Sequence, residues 1–369
     1  MGVSTPRRWL RGLGVVAVLA LAACSGARGT GDANGAPPTA VEASRFLSQS
    51  TFGPTETDIS RVRAAGYSQW IDQQMVMAAP SHLADIQARL AQLRETDPTP
   101  SLNPPDFYAS YWRQAITGED QMRQRMKLAL SEIFVISLSE AGVGVEGAAS
   151  YYDVLGANAF GNFRTLLEQV TLHPMMGVYL TWLGNQKEDP ATGRQPDENF
   201  AREVMQLMTI GLHQLNPDGT VKTDISGRPL PTYTSDDISG LAKVFTGYGY
   251  YSPRPTILTF TGRNLPDDAK TRSMMPYPQY HSTSGKAFLG VVIPASATPD
   301  PAGDLKIALD TLFNHPNVGP FIGRQLIQRL VTSNPSAAYV ARVAAVFDNN
   351  GRGVRGDMSA VVRSILLDE

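Results

Sequence analysis

The chain contains very little cysteine: Cys24 is the only one in 369 residues. If modification consumes that thiol, no disulfide can form, and burial of apolar side chains alone must hold the fold. The sequence also lacks an excess of positive charge, since 32 basic residues face 34 acidic ones, a formal net charge of −2. This balance argues against nucleic acid as a partner, because nucleic-acid binding favours basic patches.

No apolar run is long enough to cross a bilayer, which takes about 20 apolar residues. The longest run near the start, residues 13–21, is short, and it follows Arg7, Arg8 and Arg11. It closes on Leu21-Ala22-Ala23-Cys24. A basic start, a short apolar stretch and small residues at its end are typical of a secretory signal.

The Leu-Ala-Ala-Cys ending resembles a bacterial lipobox, so we predict a signal peptide over residues 1–23, cleavage before Cys24 and lipidation of the Cys24 thiol. Two alternatives stay open. One is a plain secretory signal with an unmodified, buried Cys24, and the other is a twin-arginine signal at Arg7-Arg8, where Pro6 departs from the pattern. Lipidation places the protein in the bacterial cell envelope, attached to the membrane. The outer membrane or cell surface is favoured because Ser25 and Gly26 follow the cysteine without an Asp.

Several catalytic and cofactor motifs are missing. The chain has no G-x-S-x-G, no H-E-x-x-H and no cysteine-based metal spacing. Residues 142–147 match G-x-G-x-x-G but lack the acidic residue that a dinucleotide site needs about 20 positions later. Residues 348–353 begin like a calcium loop, but Arg352 and Ser359 stand where ligands are required. These absences leave the enzyme question undecided and the cofactor unknown, with a divalent cation as an option.

The rest of the chain divides into a tether and a folded body. Residues 24–40, rich in Gly, Ala, Thr and Pro, predict a lipidated flexible tether. Residues 41–369 predict a single, mainly α domain, with amphipathic helical patterns that recur along its length. These patterns cover residues 106–116, 119–138, 162–172, 175–183, 197–211, 235–246, 304–314, 318–332, 336–348 and 357–367.

Two stretches do not follow the helical period. Residues 212–233 contain two turn signals, Asn216-Pro217-Asp218-Gly219 and Ser226-Gly227-Arg228-Pro229, and predict a small β-arm. Residues 251–300 are rich in Pro, Tyr and Thr and predict a long irregular insertion with one strand at residues 287–293. Long irregular segments inside a compact domain are usually functional or disordered.

The densest polar pattern lies in residues 196–207. At about 100° per residue, Asn199, Arg202 and Glu203 share a polar stripe with Gln206, opposite an apolar face. One interpretation is a cleft-facing row with Glu203 as acid, base or metal ligand. The alternative is a solvated helix face in which Glu198 and Arg202 pair at i,i+4.

Two further segments carry candidate groups. Thr234-x-x-Asp237 can cap the helix that follows it, a structural role sufficient by itself. Asp236 and Asp237 are also adjacent carboxylates, which could bind a hard cation such as calcium if more oxygen ligands were near. His281 lies in the insertion, five residues before Lys286, and could serve in acid–base chemistry.

Taken in order, these motifs resemble the bacterial domain of unknown function 1800, a family of exported proteins. The resemblance runs from about Ser44 to the end of the chain. Its segments are Phe46-Leu47-x-Gln49-x-Thr51-Phe52-Gly53-Pro54, Asp197-Glu198-Asn199-Phe200-Ala201-Arg202-Glu203, Thr209-Ile210-Gly211, Tyr233-Thr234-x-x-Asp237-Ile238, Phe245-Thr246-Gly247, and His281 with Lys286-Ala287-Phe288-Leu289-Gly290. Members often carry His where Met208 stands. They also continue past Glu369, so we expect a missing final helical piece.

The resemblance implies no reaction, but it favours the interpretation that the motif residues form one shared polar site. It also implies a partner, since genes of this family often neighbour those of an exported family that looks sulfatase-like. We therefore expect an envelope-anchored binding or scaffold protein that works with such a partner. The alternative is a hydrolase-like enzyme on an envelope or extracellular polymer. In that alternative Glu203, Asp237 and His281 are catalytic, and Asn199, Arg202 and Lys286 bind substrate.

Overall fold

The computed structural model describes residues 37–368, and in that range the chain forms sixteen α-helices and four short β-strands. The mainly α fold class predicted from the sequence is therefore confirmed. The signal peptide, Cys24 and most of the tether lie outside the described residues.

The helices follow one another along the chain with few interruptions. The first nine are α1 (Ala40–Ser50), α2 (Glu56–Ala65), α3 (Tyr67–Val76), α4 (His82–Arg94), α5 (Pro104–Thr117), α6 (Gln121–Ser131), α7 (Val145–Ala157), α8 (Phe163–Thr171) and α9 (Pro174–Tyr179). The others are α10 (Asn199–Gln206), α11 (Ser235–Val244), α12 (Ile257–Phe260), α13 (Pro301–Asn314), α14 (Val318–Leu330), α15 (Ala337–Asp348) and α16 (Met358–Leu366).

Most helices begin at a side chain that caps them. Thr39, before α1, accepts a hydrogen bond from the N–H of Glu42, whose carboxylate in turn accepts from the Thr39 N–H at 2.8 Å. These reciprocal bonds satisfy donors that the first turn of a helix leaves unpaired. The first helices are therefore specified locally by residues visible in the sequence.

The core takes side chains from helices along the whole described chain. One cluster of buried apolar side chains contains residues from Ala43, in α1, to Leu366, in α16. Tyr151 lies fully inside it, and its hydroxyl donates to the carbonyl of Phe134 at 2.8 Å. Burial of this extent is the dominant favourable contribution to folding, and it requires that enclosed polar groups find partners.

The arm at residues 212–233 consists of three extended stretches joined by isolated antiparallel bridges. These bridges pair His213 with Pro231, Leu215 with Val221, and Thr223 with Pro229. Asn317, before α14, fixes the base of the arm, because its Oδ1 accepts from the Leu215 N–H at 3.0 Å and its Nδ2 donates to the His213 carbonyl at 2.8 Å. The second turn, around Ile225, is fully exposed.

The insertion contains more regular structure than the single strand expected. Strand β1 (Tyr248–Gly249), just before the insertion, pairs antiparallel with β2 (Met275–Pro276). Within the insertion, β3 (Lys286–Phe288) pairs antiparallel with β4 (Val291–Ile293). The apolar run at 287–293 is therefore a hairpin, not one strand. Its two turn residues, Leu289 and Gly290, have φ of 49° and 79°, as in a type I′ turn. Leucine is unusual at such a position, so the run looks uninterrupted in the sequence.

Candidate functional site

Helix α10 presents its polar stripe at the surface, as its spacing predicts. Its apolar face is anchored by Phe200, whose ring stacks on Trp182 with centroids 5.0 Å apart and meets Phe245 edge-on at 4.7 Å. All three rings are completely buried. This aromatic packing fixes the rotation of α10, so the polar residues on the other side point outward.

Asn199 lies at the exposed beginning of α10, next to a strained residue. Its side-chain amide faces the Thr181 hydroxyl at 3.4 Å, and that hydroxyl donates to Asp197 Oδ2 at 3.1 Å. Thr181 has a φ of 59°, which a β-branched side chain rarely adopts. Such strain persists only where the surroundings impose it, and it is concentrated at functional sites.

Arg202 is paired within its own helix turn. Its guanidinium lies 3.4 Å from Glu198 Oε2, the i,i+4 pair that the alternative interpretation anticipated. Both side chains are almost half exposed, so the pair contributes roughly 0.3–0.5 kcal/mol at most. Glu198 also accepts from the Ser239 hydroxyl at 2.6 Å, which links α10 to α11.

Glu203 is half-buried, and its Oε2 is enclosed without a hydrogen-bond partner. Burial raises the pKa of this carboxyl, and the neighbouring Arg202 charge offsets part of that effect. Tyr233 is close enough for the Glu203 charge to contribute to its own raised pKa, although burial is the larger cause. A carboxyl with a raised pKa at a surface is a reasonable general acid.

Asp237 is committed to holding two segments together. Its Oδ2 accepts from the Thr234 N–H at 2.7 Å and from the Thr234 hydroxyl at 2.8 Å, which completes a capping box for α11. Its Oδ1 accepts from the Leu289 N–H at 2.6 Å and so stabilises the tight β3–β4 turn. Burial acts to raise the pKa of Asp237, but the bonds from Leu289 and Thr234 outweigh it, and the pKa lies below its ordinary value.

His281 and Lys286 converge on one buried carboxylate, Asp304. His281 Nε2 lies 2.9 Å from Asp304 Oδ2, and Lys286 Nζ lies 2.8 Å from the same oxygen. The other ring nitrogen of His281 faces the Thr246 carbonyl at 2.7 Å, and Lys286 also donates to the Ser282 carbonyl at 2.8 Å. His281 is fully enclosed and Lys286 nearly so, so this triad is a paired polar cluster inside the protein.

The triad requires a close approach between two motif segments. Gly247, with a φ of 71°, lies against the His281 backbone, and a Cβ at position 247 would come within 2.7 Å of the His281 nitrogen. A glycine is therefore needed both for the backbone conformation and for the space.

A second carboxylate, Glu188, faces the same loop from the surface side. Its Oε1 accepts from the Ser282 hydroxyl at 3.0 Å and from the Ser284 hydroxyl, while its Oε2 is enclosed without a partner. Burial acts to raise the pKa of Glu188, but the Ser284 hydrogen bond and other bonds lower it overall. Lys243 adds to that lowering and itself donates to the Gly285 carbonyl at 3.2 Å.

The segment 181–188 forms hydrogen bonds with several of the motif segments. Asn185 accepts from the Asp197 N–H at 2.9 Å and donates to the Phe245 carbonyl at 3.0 Å. The Lys187 N–H donates to the Tyr280 carbonyl at 2.9 Å, next to His281. The beginning of α10, the end of α11 and the insertion thus meet along one short connection.

The candidate residues do not all join one another within this arrangement. Among the contacts of residues 37–368, no hydrogen bond or ion pair links Glu203 to Asp237 or to His281. His281 and Lys286 share Asp304, and Asp237 reaches their hairpin through Leu289. Arg202 connects to α11 through Glu198, whereas Asn199 contacts Thr181. The predicted polar residues therefore form a surface group on α10 and an interior group around Asp304.

Sequence reasoning missed a second interior polar cluster around His82. Lys127 Nζ lies 2.6 Å from His82 Nε2, His82 Nδ1 lies 2.9 Å from the Ser110 hydroxyl, and Ser110 donates to Asp85 at 2.7 Å. Burial, with a smaller contribution from the Lys127 charge, lowers the pKa of His82 to about 3, and burial lowers the pKa of Lys127 to about 8. The first and last of these four residues are 45 positions apart in the sequence, so no local motif reveals them.

Neither a metal centre nor a membrane span emerges from the described part of the chain. Within residues 37–368, no group of three or more His, Cys, Asp or Glu side chains is placed to hold a metal ion. Asp236 and Asp237 do not form such a group. The helices of the same residues are each too short or too polar to cross a bilayer.

Comparison with known proteins gives one match. A family model described as Protein of unknown function (DUF1800) matches residues 45–369. No curated protein matches the chain, and no solved structure does.

Proposed function

The chain belongs to the DUF1800 family over residues 45–369, and from this premise we propose that it is an exported lipoprotein of the bacterial cell envelope that binds and holds a partner protein. The resemblance described above suggests an exported, sulfatase-like protein as that partner. The family has no assigned activity in its description, so the proposal rests on the residues of this chain.

The proposed anchor rests on the first 24 residues. Arg7, Arg8 and Arg11, the short apolar run and the Leu-Ala-Ala-Cys ending support a signal peptide and a lipid on Cys24. Without the three arginines of the signal, 29 basic residues face 34 acidic ones, a net charge of −5. Such a surface does not favour nucleic acid.

The observation that favours binding over catalysis is the commitment of the candidate catalytic side chains to the fold. Asp237 uses both carboxylate oxygens to hold Thr234 and Leu289. His281 is fully buried with both ring nitrogens paired. A catalytic base or acid must reach the proton that it transfers. His281 does not reach the surface, and the oxygens of the partly exposed Asp237 already accept hydrogen bonds from Thr234 and Leu289.

The β-arm at residues 212–233 offers the most suitable binding surface. Leu212, Val221 and Ile225 are exposed along it, and Ile225 stands at the turn without cover. Exposed aliphatic side chains on the arm keep apolar area in contact with water, and a partner that covers them gains the free energy of burying that area. The base of the arm is fixed by Asn317, so its orientation is set before binding.

The test is co-purification of the protein with an exported, sulfatase-like protein of the same organism, followed by calorimetry. Ile225→Asp should weaken the complex by about ten-fold or more, because burial of one such side chain is worth roughly 1.5–3 kcal/mol. Val292→Asp, at an exposed position of β4, is the matched control and should bind normally. Absence of a complex with the parent chain, or equal affinity for Ile225→Asp, would contradict the proposal.

A second candidate function is hydrolysis of an envelope or extracellular polymer. The raised pKa and unpartnered Oε2 of Glu203 favour it, with Arg202 and Asn199 nearby to hold an anionic or polar substrate group. Asp237, His281 and Lys286 would then support the site, and a divalent cation would need further ligands. Turnover of an envelope glycan that Glu203→Gln abolishes, while leaving partner affinity unchanged, would establish this activity.

A further inference from the structure

Helix α5 carries apolar side chains on two sides, although the core covers only one. Phe107, Tyr111 and Ala115 are buried, as an amphipathic helix requires. Tyr108, Trp112 and Ile116, spaced by four residues, are 49%, 51% and 69% exposed. Residues four apart lie on the same face of a helix, so these three form one continuous stripe.

The stripe continues beyond its own helix. The Phe52 ring lies edge-on to Trp112 with centroids 6.3 Å apart. Beside them is a groove of about 450 Å³ lined by residues 52–55, the first half of α2 and the end of α5, including Ile116. We call Phe52, Tyr108, Trp112 and Ile116 the α5 face.

We propose that the α5 face rests on the surface of the lipid bilayer to which the protein is tethered. The inference relies on the proposed anchor at Cys24 and assigns a separate contact to the folded body. It concerns a different surface from the β-arm.

The point at which the described chain starts supports a membrane as the occupant. Arg63, in α2, donates to the Pro38 carbonyl at 3.2 Å, so the first described residues lie against the helix whose other half lines the groove. Cys24 precedes residue 37 by 13 positions, and 13 residues span at most about 45 Å. A lipid on Cys24 would therefore hold the beginning of the folded body within about 45 Å of the bilayer.

The residue types match the boundary between water and lipid. Tryptophan and tyrosine are enriched there because each has a large apolar ring and a polar atom. The arginines around the stripe are already paired, Arg61 with Asp58 at 3.5 Å, Arg89 with Asp106 at 3.1 Å, and Arg113 with Asp85. Attraction to lipid should thus be apolar, with little dependence on salt or on anionic headgroups.

Trp112 supplies its own reporter. The other tryptophans among residues 37–368, Trp70 and Trp182, are buried. The experiment reconstitutes the lipidated mature protein in vesicles of phosphatidylethanolamine and phosphatidylglycerol whose acyl chains carry bromine, a quencher of indole fluorescence. Flotation of the same vesicles separately reports the anchor.

We expect bromine to quench the Trp112 emission and Trp112→Phe to remove that component. Ile116→Asp should lose most of the quenching while still floating with the vesicles, and Val76→Asp, at an exposed position of α3, should keep both. Added salt should leave the quenching unchanged.

Unquenched Trp112 would overturn the inference, whether or not the protein floats. Failure to float would show that the anchor is wrong as well. Shielding of Trp112 by the partner protein, without quenching by lipid, would assign the α5 face to protein docking and would equally overturn the proposal. The binding function is tested separately, by the partner affinity of Ile225→Asp, so failure of one proposal does not imply failure of the other.

Discussion

At the scale of single residues, His82 shows how the interior tolerates polar groups. It is fully buried, and its two ring nitrogens face Lys127 and Ser110. Lys127 donates to Nε2, so a neutral ring can donate from Nδ1 to Ser110, which in turn donates to Asp85. Each member of this chain has a partner while His82 is neutral. Burial, with a smaller contribution from the Lys127 charge, lowers the pKa of His82 to about 3.

This lowered pKa predicts a pH dependence of stability. An unfolded histidine titrates near 6.5, so between about pH 6.5 and 3 the unfolded chain binds a proton that the folded chain excludes. The contribution of neutral His82 to the free energy of unfolding should therefore be fully present above pH 6.5. It should fall as the pH drops, by up to about 1.4 kcal/mol per pH unit. In His82→Gln, the free energy of unfolding measured with urea should fall less steeply with decreasing pH across this range.

His213 provides the control because it is exposed on the arm. His213→Gln should show the same pH dependence of the free energy of unfolding as the parent protein. His173, buried beside Ser150 with a pKa that burial lowers to about 3, should keep part of the acid sensitivity in His82→Gln. An unchanged slope in His82→Gln would show that the ring does not stay neutral in the folded protein.

The sequence identified some residues of the polar groups but not their partners. His281 and Lys286 were selected from motif positions, whereas Asp304, to which both bind, is a carboxylate in the first turn of α13. Such residues usually only complement the helix dipole. Glu188 belongs to none of the sequence motifs. Only the fold brings these carboxylates to the loop at 281–286, so residue patterns alone could not reveal them.

At the scale of elements, α11 and β3 pack unusually closely. Gly240 is buried in the middle of α11, and a Cβ at this position would lie 1.8 Å from the Ala287 carbonyl oxygen. That contact is with backbone, which cannot rotate away as a flexible side chain would. The same hairpin carries Lys286 to Asp304 and is held to α11 by Asp237.

Gly240→Ala should therefore destabilise the protein, although alanine favours helix over glycine by about 1 kcal/mol. The added methyl must push α11 away from β3, and overpacking of this kind costs roughly 1–3 kcal/mol or more. Thermal unfolding should show a lower Tm for this variant. Asp236→Asn, at an exposed position of the same helix, should change Tm little. A Gly240→Ala protein as stable as the parent would refute the close contact.

The sequence predicted the helices well because their apolar period is strong. The pattern at 304–314 corresponds to α13 (Pro301–Asn314), and that at 318–332 to α14 (Val318–Leu330). Errors arose where the backbone turns within an apolar run. The pattern at 197–211 continues past Gln206, where α10 ends, and Gly211 has a φ of 71° with Phe321 packed against it. Apolar spacing cannot distinguish a continuing helix from a buried turn.

At the scale of the whole molecule, two exposed apolar surfaces lie on different elements. The α5 face adjoins α2, against which the first described residues pack, whereas the β-arm is fixed to the beginning of α14. A tethered protein that rests on lipid through one surface would keep the other free for a partner. The turn signals at 212–233 predicted the β-arm, but the apolar pattern at 106–116 did not reveal the α5 face, because exposure depends on which neighbours the fold supplies.

The last prediction concerns the proposed anchor at Cys24. Cys24→Ser removes the thiol that would carry the lipid, so the variant should lose label from an alkyne fatty acid and move from the membrane to the soluble fraction. The α5 face alone should not hold it, since even one acyl chain binds membranes only marginally and stable attachment takes more than one. Ser25→Ala, the adjacent control, should remain labelled and membrane-bound. Membrane retention of unlabelled Cys24→Ser would show that attachment depends on another part of the protein.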